Sequence, residues 1–346
     1  MKTLVTGAAG FIGSHICRRL CADGYDVVGV DNLNDYYDVG LKKARLEWIG
    51  AVRFRFHCMS VENSNELTRL FDGEHFDYVI HLAGQAGVRY SSEEPMVYGE
   101  SNLMGFLSVL EACRSFKIKH LVYASSSSVY GLNDKTPFSA NDNVDHPVSL
   151  YAATKKANEL MAHSYSHMYG LPTTGLRFFS VYGPWSRPDM AFYMFAESII
   201  EKRPIDVFNN GELYRDFTYI DDVVEAIVRL TKKAPQKNQE WIKADKTIAQ
   251  SSAPYQIFNI GSGTPVKLTK MIDLLECKLG MRAIRQLKPM QVGEVNMTYS
   301  DTKELFDEIG FSPQVPFDQG VGAFVEWYNY YRLNSQQRFQ SVTKTI

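Results

Sequence analysis

Tyr151 and Lys155 stand four residues apart in a segment, 149–169, whose patterning predicts a helix. That spacing puts a phenol and an ammonium on one helical face. A tyrosine hydroxyl titrates at about 10 and is a poor base near neutrality, but an adjacent cation favours the phenolate. Upstream, Ser125, Ser126, Ser127 and Ser128 follow the strand-like run Leu121-Val122-Tyr123. Hydroxyls there can relay or share a proton with the phenol. The set suits removal and return of a proton at an alcohol. Tyr/Lys pairs are common on solvated helix faces, so this one gains meaning from what accompanies it.

Gly7-Ala8-Ala9-Gly10-Phe11-Ile12-Gly13 follows the strand-like Leu4-Val5-Thr6 and opens a helical segment. Glycines at Gly7, Gly10 and Gly13 let the backbone turn sharply and approach a pyrophosphate, while the helix N-terminus offers unpaired N–H groups to its oxygens. Asp31 ends the next strand, 18 residues beyond Gly13. A carboxylate there accepts both hydroxyls of an adenosine ribose and repels a 2′-phosphate. Asn32 and Leu33 follow, with no arginine to receive that phosphate, so the expected cofactor is NAD rather than NADP.

These residues need a scaffold with strand ends on one rim. Short β-branched or aromatic runs at 4–6, 27–30, 52–54, 78–80, 121–123 and 173–176 alternate with helix-length segments at 12–23, 96–116 and 149–169. The alternation predicts an α/β, Rossmann-type doubly wound parallel sheet, with its ligand crevice at the carboxyl ends of the strands. After about residue 180 prolines and glycines break the rhythm. The expected division is a nucleotide-binding domain over 1–180, to which a helix near 221–232 returns, and a smaller C-terminal α/β substrate lobe, mainly 181–332. A polar stretch from Lys232 to Ala253 reads as a surface loop, and 333–346 as a frayed polar tail.

The chain has 346 residues, 37 basic against 39 acidic side chains, and a formal net charge of −2. That balance gives no electrostatic reason to expect nucleic acid or an anionic membrane surface as partner. No apolar run approaches the roughly 18 residues that span a bilayer, and the N-terminus has no secretory pattern. Cys17, Cys21, Cys58, Cys113 and Cys277 lack a C-x-x-C pair and read as reduced thiols, so the expected location is cytoplasmic. His163 and His167 have metal-ligand spacing without a third ligand, so no metal is expected.

Thr6 to Gly13 together with Tyr151-x-x-x-Lys155 resembles the extended short-chain dehydrogenase/reductases, the nucleotide-sugar epimerases in particular, over about residues 2–332. The segments 31–38, 81–91 and 177–185 are most similar to the UDP-glucuronate 4-epimerases. The resemblance implies an NAD-dependent isomerase acting on a UDP-sugar. Its catalytic residues would be Tyr151, Lys155, Ser126, Ser127 and Ser128. The cofactor would meet Gly7, Gly10, Phe11, Ile12, Gly13, Asp31, Asn32, Ser60, Val61, Leu82, Ala83, Gln85, Ser125, Tyr151 and Lys155. The substrate would meet Arg89, Ser127, Ser128, Tyr151, Ser180, Arg187 and Arg215, with Arg215 clamping the diphosphate. Two positions depart from the family: Ser60-Val61 stands where relatives place an Asp and an apolar residue for adenine, and Gly293-Glu294 stands for Gly-Asp. A homodimer through the 96–116 and 149–169 helices is also implied.

The implied reaction oxidises the sugar at C4 and reduces it again from the opposite face, with no net redox change. Rival readings are a neutral UDP-hexose 4-epimerase, a dehydratase or decarboxylase on the same scaffold, and a non-catalytic NAD sensor. The absence of a carboxylate in Ser126-Ser127-Ser128-Val129-Tyr130 argues against dehydration and decarboxylation. The intact Tyr151, Lys155 and serine run argue against a decayed site.

Overall fold

A computed structural model describes residues 1–50, 52–242, 247–290 and 295–343. The elements that build the first layer set are β1 (Lys2–Thr6), α1 (Phe11–Ala22), β2 (Asp26–Asp31), α2 (Val39–Ile49), β3 (Phe54–Cys58), α3 (Ser64–Glu74) and β4 (Tyr78–His81). Two short turns of helix, α4 (Tyr90–Glu93) and α5 (Pro95–Tyr98), lead through a π-helical stretch, Gly99–Gly105, into α6 (Phe106–Ser115). Then come β5 (His120–Ser126), a 3-10 turn over Ser127–Tyr130, α7 (Leu150–Tyr169) and β6 (Thr173–Phe178).

The remaining elements are β7 (Ser180–Tyr182), α8 (Ala191–Ile200), β8 (Pro204–Phe208), β9 (Tyr214–Tyr219), α9 (Ile220–Thr231), β10 (Tyr255–Ile260), β11 (Pro265–Lys267), α10 (Leu268–Leu279), β12 (Ile284–Lys288), α11 (Lys303–Ile309) and α12 (Phe317–Thr343). Seven strands form one sheet in the order β10-β6-β5-β4-β1-β2-β3, every pair parallel. The order reverses between β1 and β4, which opens a crevice at their carboxyl ends.

Burial on both faces explains the unbroken apolar strands: Leu4, Val5, Val28, Val79, Ile80, Leu121 and Val122 are fully buried. The third strand is the exception. Val52-Arg53-Phe54 reads as a strand, but the pairing begins at Phe54 and runs to Cys58. This is the sheet edge, so its side chains stay partly solvated and the apolar run marks it poorly.

The chain returns to the large sheet after residue 180. α9 packs on α1 and β5, and β10 extends the sheet beyond β6. Two smaller sheets, β11-β9-β7 and β12-β8, stand beyond the crevice. Within the polar 232–253 stretch the structure describes a single 3-10 turn at Gln239–Ile242. Where the sequence suggests a frayed tail, α12 continues as helix to Thr343. Its aromatic side chains pack inward: Trp327 lies 5.4 Å from Trp185 and 5.5 Å from Tyr331, centroid to centroid.

Candidate active site

The glycine loop is tight enough to admit no side chain. A Cβ on Gly13 would lie 2.0 Å from the Gly7 carbonyl oxygen, and one on Gly10 would lie 2.9 Å from the same atom. Gly7 has φ of +72°, and its Cβ would meet the Leu82–Ala83 peptide at 2.8 Å. The loop therefore presents bare backbone at the start of α1, beside the carboxyl ends of β1 and β4. Asp31 closes the rim at the end of β2. Its carboxylate accepts from the Ala9 and Leu33 amides at 3.2 and 2.9 Å, which fixes the group without using all its lone pairs.

An open cleft runs over this rim. Seventeen of the residues singled out above line it: Gly7, Gly10, Phe11, Ile12, Gly13, Asp31, Asn32, Ser60, Val61, Leu82, Ala83, Gln85, Ser125, Ser126, Tyr151, Lys155 and Arg187. At the Asp31 end, Asn32 Nδ2 donates to Ser60 Oγ at 3.2 Å, so the serine that replaces the family's Asp is already held toward the cleft. Gly293 and Glu294 lie outside the described residues.

At the other end α7 brings Tyr151 against β5. Ser149 caps the helix by accepting from the Ala152 amide at 3.1 Å, which sets the first turn where Tyr151 stands. Burial pushes the Tyr151 phenol above its ordinary range. A hydrogen bond with the Ser126 hydroxyl and the positive field of Arg187 pull it back, and Asp189 opposes them. Burial also pulls the Lys155 ammonium down to about 8. Lys155 Nζ donates to the Ala124 carbonyl at 3.2 Å. The hydrogen-bonded partner of the phenol is thus Ser126, while the lysine is seated on the strand backbone.

Five of the residues singled out stand off the cleft. Ser127 and Ser128 occupy the 3-10 turn, with Ser126 Oγ 3.1 Å from Ser128 Oγ. Ser180 opens β7 opposite Phe217 of β9, and Arg215 lies two residues earlier on that strand. Arg215 Nη1 donates to its neighbour's carbonyl at Tyr214, 2.9 Å away. The Arg89 guanidinium lies 5.6 Å over the Phe208 ring.

The structure also places residues that spacing did not single out. Asn34, Tyr36, Tyr37, Lys42 and Met190 line the same cleft. Tyr36 donates to Asp189 at 3.2 Å, and Asp189 receives a fork from Arg187 at 3.0 and 3.2 Å. Arg45, fully buried, donates to Ala9 O at 3.0 Å, to Tyr37 at 2.6 Å and to Trp185 O at 2.8 Å. It ties the glycine loop to the segment carrying Arg187. Asn102, within the π-helical stretch, accepts from the Gln85 amide at 2.7 Å and donates to the Gln85 carbonyl and to Thr154 Oγ1, each at 3.1 Å. It thereby ties the cleft floor to α7. Nothing in the sequence marks a lone buried asparagine in this way.

The scaffold and cleft define a doubly wound dinucleotide-binding protein with a tyrosine base candidate. A family model, the NAD dependent epimerase/dehydratase family, matches residues 3–261. A probable UDP-glucuronate 4-epimerase from Rhizobium meliloti is 45% identical over 340 residues, covering 97% of this chain and 99% of the relative. Protein CapI of Staphylococcus aureus is 52% identical, covering 96% and 100%. A crystal structure of the Bacillus cereus UDP-glucuronic acid 4-epimerase with UDP-glucuronic acid and NAD aligns with a TM-score of 0.82 at 32% identity, over 96% of this chain and all of that one. The chain belongs to the NAD dependent epimerase/dehydratase family. The side-chain-free glycine cradle and the Asp31 carboxylate fit the family's cofactor.

Proposed function

We propose that this chain interconverts UDP-glucuronate and UDP-galacturonate by NAD-dependent epimerisation at C4. The observation that carries the reading is the convergence of the glycine cradle, Asp31, Ser126, Tyr151 and Lys155 on one cleft, in a chain related along its length to UDP-glucuronate 4-epimerases. Gly7, Gly10 and Gly13 with the α1 N-terminus would hold the pyrophosphate, and Asp31 the adenosine ribose. Asn32, Ser60 and Val61 would face adenine, and Leu82, Ala83, Gln85 and Ser125 the middle of the cofactor. Bound NAD supplies reversible hydride acceptance at the sugar C4.

The protein's own task is proton handling and orientation. Tyr151 takes the proton of the C4 hydroxyl and later returns it, with Ser126 sharing its hydrogen bond and Lys155 supplying positive charge. The 4-keto sugar must turn over while its UDP end stays fixed. Arg215 serves as the fixed hold on the UDP end, since a guanidinium offers a planar fork to phosphate oxygens. The keto uronate is a β-keto acid, which loses CO₂ most readily when the breaking bond is perpendicular to the carbonyl plane. Hydroxyls of Ser127, Ser128 and Ser180 would fix the carboxylate torsion, with Arg89 and Arg187 as cations that supply charge without fixing it.

We assign residues 1–180 together with α9 and β10 to the nucleotide domain, and most of the rest to the substrate lobe. The chain would act as a homodimer through the 96–116 and 149–169 helices, where Met104 of the π-helical stretch and Leu160 and Met168 of α7 stand exposed at 57, 58 and 60%. A cytoplasmic location is supported by five free cysteines. Among the described residues, no helix is long and apolar enough to cross a membrane. The deciding experiment incubates the purified chain with UDP-glucuronate and no added NAD, followed by NMR of the sugar, with UDP-glucose in parallel. UDP-galacturonate formation supports the reading; turnover of UDP-glucose alone assigns a neutral hexose instead.

A further inference from the structure

One stripe of α7 grips the end of β5. Tyr151, Lys155 and Glu159 are spaced by four and meet three consecutive strand residues. The Ser126 hydroxyl reaches Tyr151, the Ala124 carbonyl accepts from Lys155 at 3.2 Å, and the Ser125 hydroxyl donates to Glu159 Oε1 at 2.7 Å. Glu159 is 1% exposed and receives a side-on fork from the fully buried Arg177 of β6, at 2.9 and 3.0 Å. Lys156 approaches its other side at 3.9 Å.

The third nitrogen of Arg177 donates to the Tyr130 hydroxyl and the Ala140 carbonyl, each at 3.2 Å. Tyr130 closes the 3-10 turn that carries Ser127 and Ser128, and donates to Asn259 Oδ1 at 2.6 Å. A single ion pair therefore holds the serine run from both sides, Ser125 at the strand and Tyr130 at the turn. An apolar pair of similar volume would stabilise such a core equally well or better, because burying two charges costs much of what their attraction returns. What the charges add is direction.

We propose that Glu159, held by Arg177, is a positioning residue that fixes where the Ser126, Ser127 and Ser128 hydroxyls stand relative to the Tyr151 phenol and the sugar. This rests on the epimerase reading above. Ser125→Ala leaves the ion pair intact and removes its grip on the strand. Assayed with NAD at saturation, because Ser125 also lines the cofactor cleft, the variant is expected to keep its melting temperature, hold KM for the UDP-sugar within about twofold, and lose kcat by about tenfold. The acid limb of its pH–rate profile should move upward, since a loosened Ser126 lowers the phenol less; Arg187, Asp189 and the Tyr98 phenol, the titratable and charged groups facing it, are unchanged. Ser125→Thr, which keeps the hydroxyl, should recover kcat.

Glu159→Gln keeps an acceptor for Ser125 but leaves Arg177 uncompensated, so it should lose both kcat and melting temperature. Wild-type kcat and pH profile in Ser125→Ala, a change confined to KM, or a folded, NAD-loaded Glu159→Gln with wild-type kcat would each overturn the proposal. A wild-type chain inert toward UDP-glucuronate defeats the substrate reading instead. The same measurements on whichever UDP-sugar it turns over then decide the positioning role.

Discussion

The phenol of Tyr151 is set against its surroundings: burial favours the neutral form, while the proposed chemistry needs the phenolate. Ser126 and Arg187 offset part of that burial. A dinucleotide cation bound alongside would act in the same direction. Tyr151→Phe should therefore fold and bind NAD while turnover falls by about 10²–10⁴, the range a positioned acid–base group contributes. The absorbance of cofactor released from the purified variant and an NMR time course measure the two separately; near-wild-type turnover would remove Tyr151 as base. Sequence spacing marked Tyr151, Lys155 and the serines because the chemistry is local to one helix and one strand end. It did not mark Glu159, although that residue repeats the same four-residue step, because an acidic residue on a helix is ordinarily solvated.

At the scale of elements, the turn from β1 into α1 is the most constrained piece. A methyl on Gly13 would sit at 2.0 Å from a carbonyl oxygen that belongs to the same loop, so neither the backbone nor a flexible side chain can yield cheaply. Gly13→Ala should lower stability by about 1–3 kcal/mol through overpacking and strip NAD during purification. Calorimetry and the cofactor absorbance of the purified protein test this; full NAD occupancy would count against the cradle. The glycine pattern made this element readable. The helix α2 was not: its Arg45 gains its meaning from Ala9, Tyr37 and Trp185, which lie 8 to 140 residues away. A lone arginine in an amphipathic helix otherwise reads as surface. The π-helical stretch was also hidden, because the insertion that presents Asn102 leaves an ordinary helical pattern around it.

Across the whole molecule, three histidines are kept neutral by burial. His15 and His81 are pulled down to about 3 and His120 to about 4. Their rings are hydrogen-bonded to the Phe11 carbonyl, to Thr6, and to Thr174 and the Thr231 carbonyl, respectively. Above about pH 6.5 both folded and unfolded forms are neutral and the histidines add no pH dependence. Between about 6.5 and these depressed values the unfolded chain binds protons that the folded chain refuses. Stability should then fall as pH falls, by up to about 1.4 kcal/mol per pH unit for each histidine. Calorimetry at pH 7 and pH 5 should show a clearly lower melting temperature at pH 5, with the three imidazoles still neutral in the folded protein by NMR. Equal melting temperatures would contradict their buried, neutral state.

The sequence by itself determined the parallel α/β scaffold, the glycine turn, Asp31 at the end of β2 and the Tyr151/Lys155 face. Each follows from short-range steric and periodic rules that a few neighbouring residues satisfy. Tertiary structure alone decided the return of β10 to the sheet, the Arg45 and Asn102 ties, the pairing of Arg187 with Asp189, and the Glu159–Arg177 pair behind the serines. Those depend on side chains far apart in the chain finding one another after burial has removed water as their alternative partner.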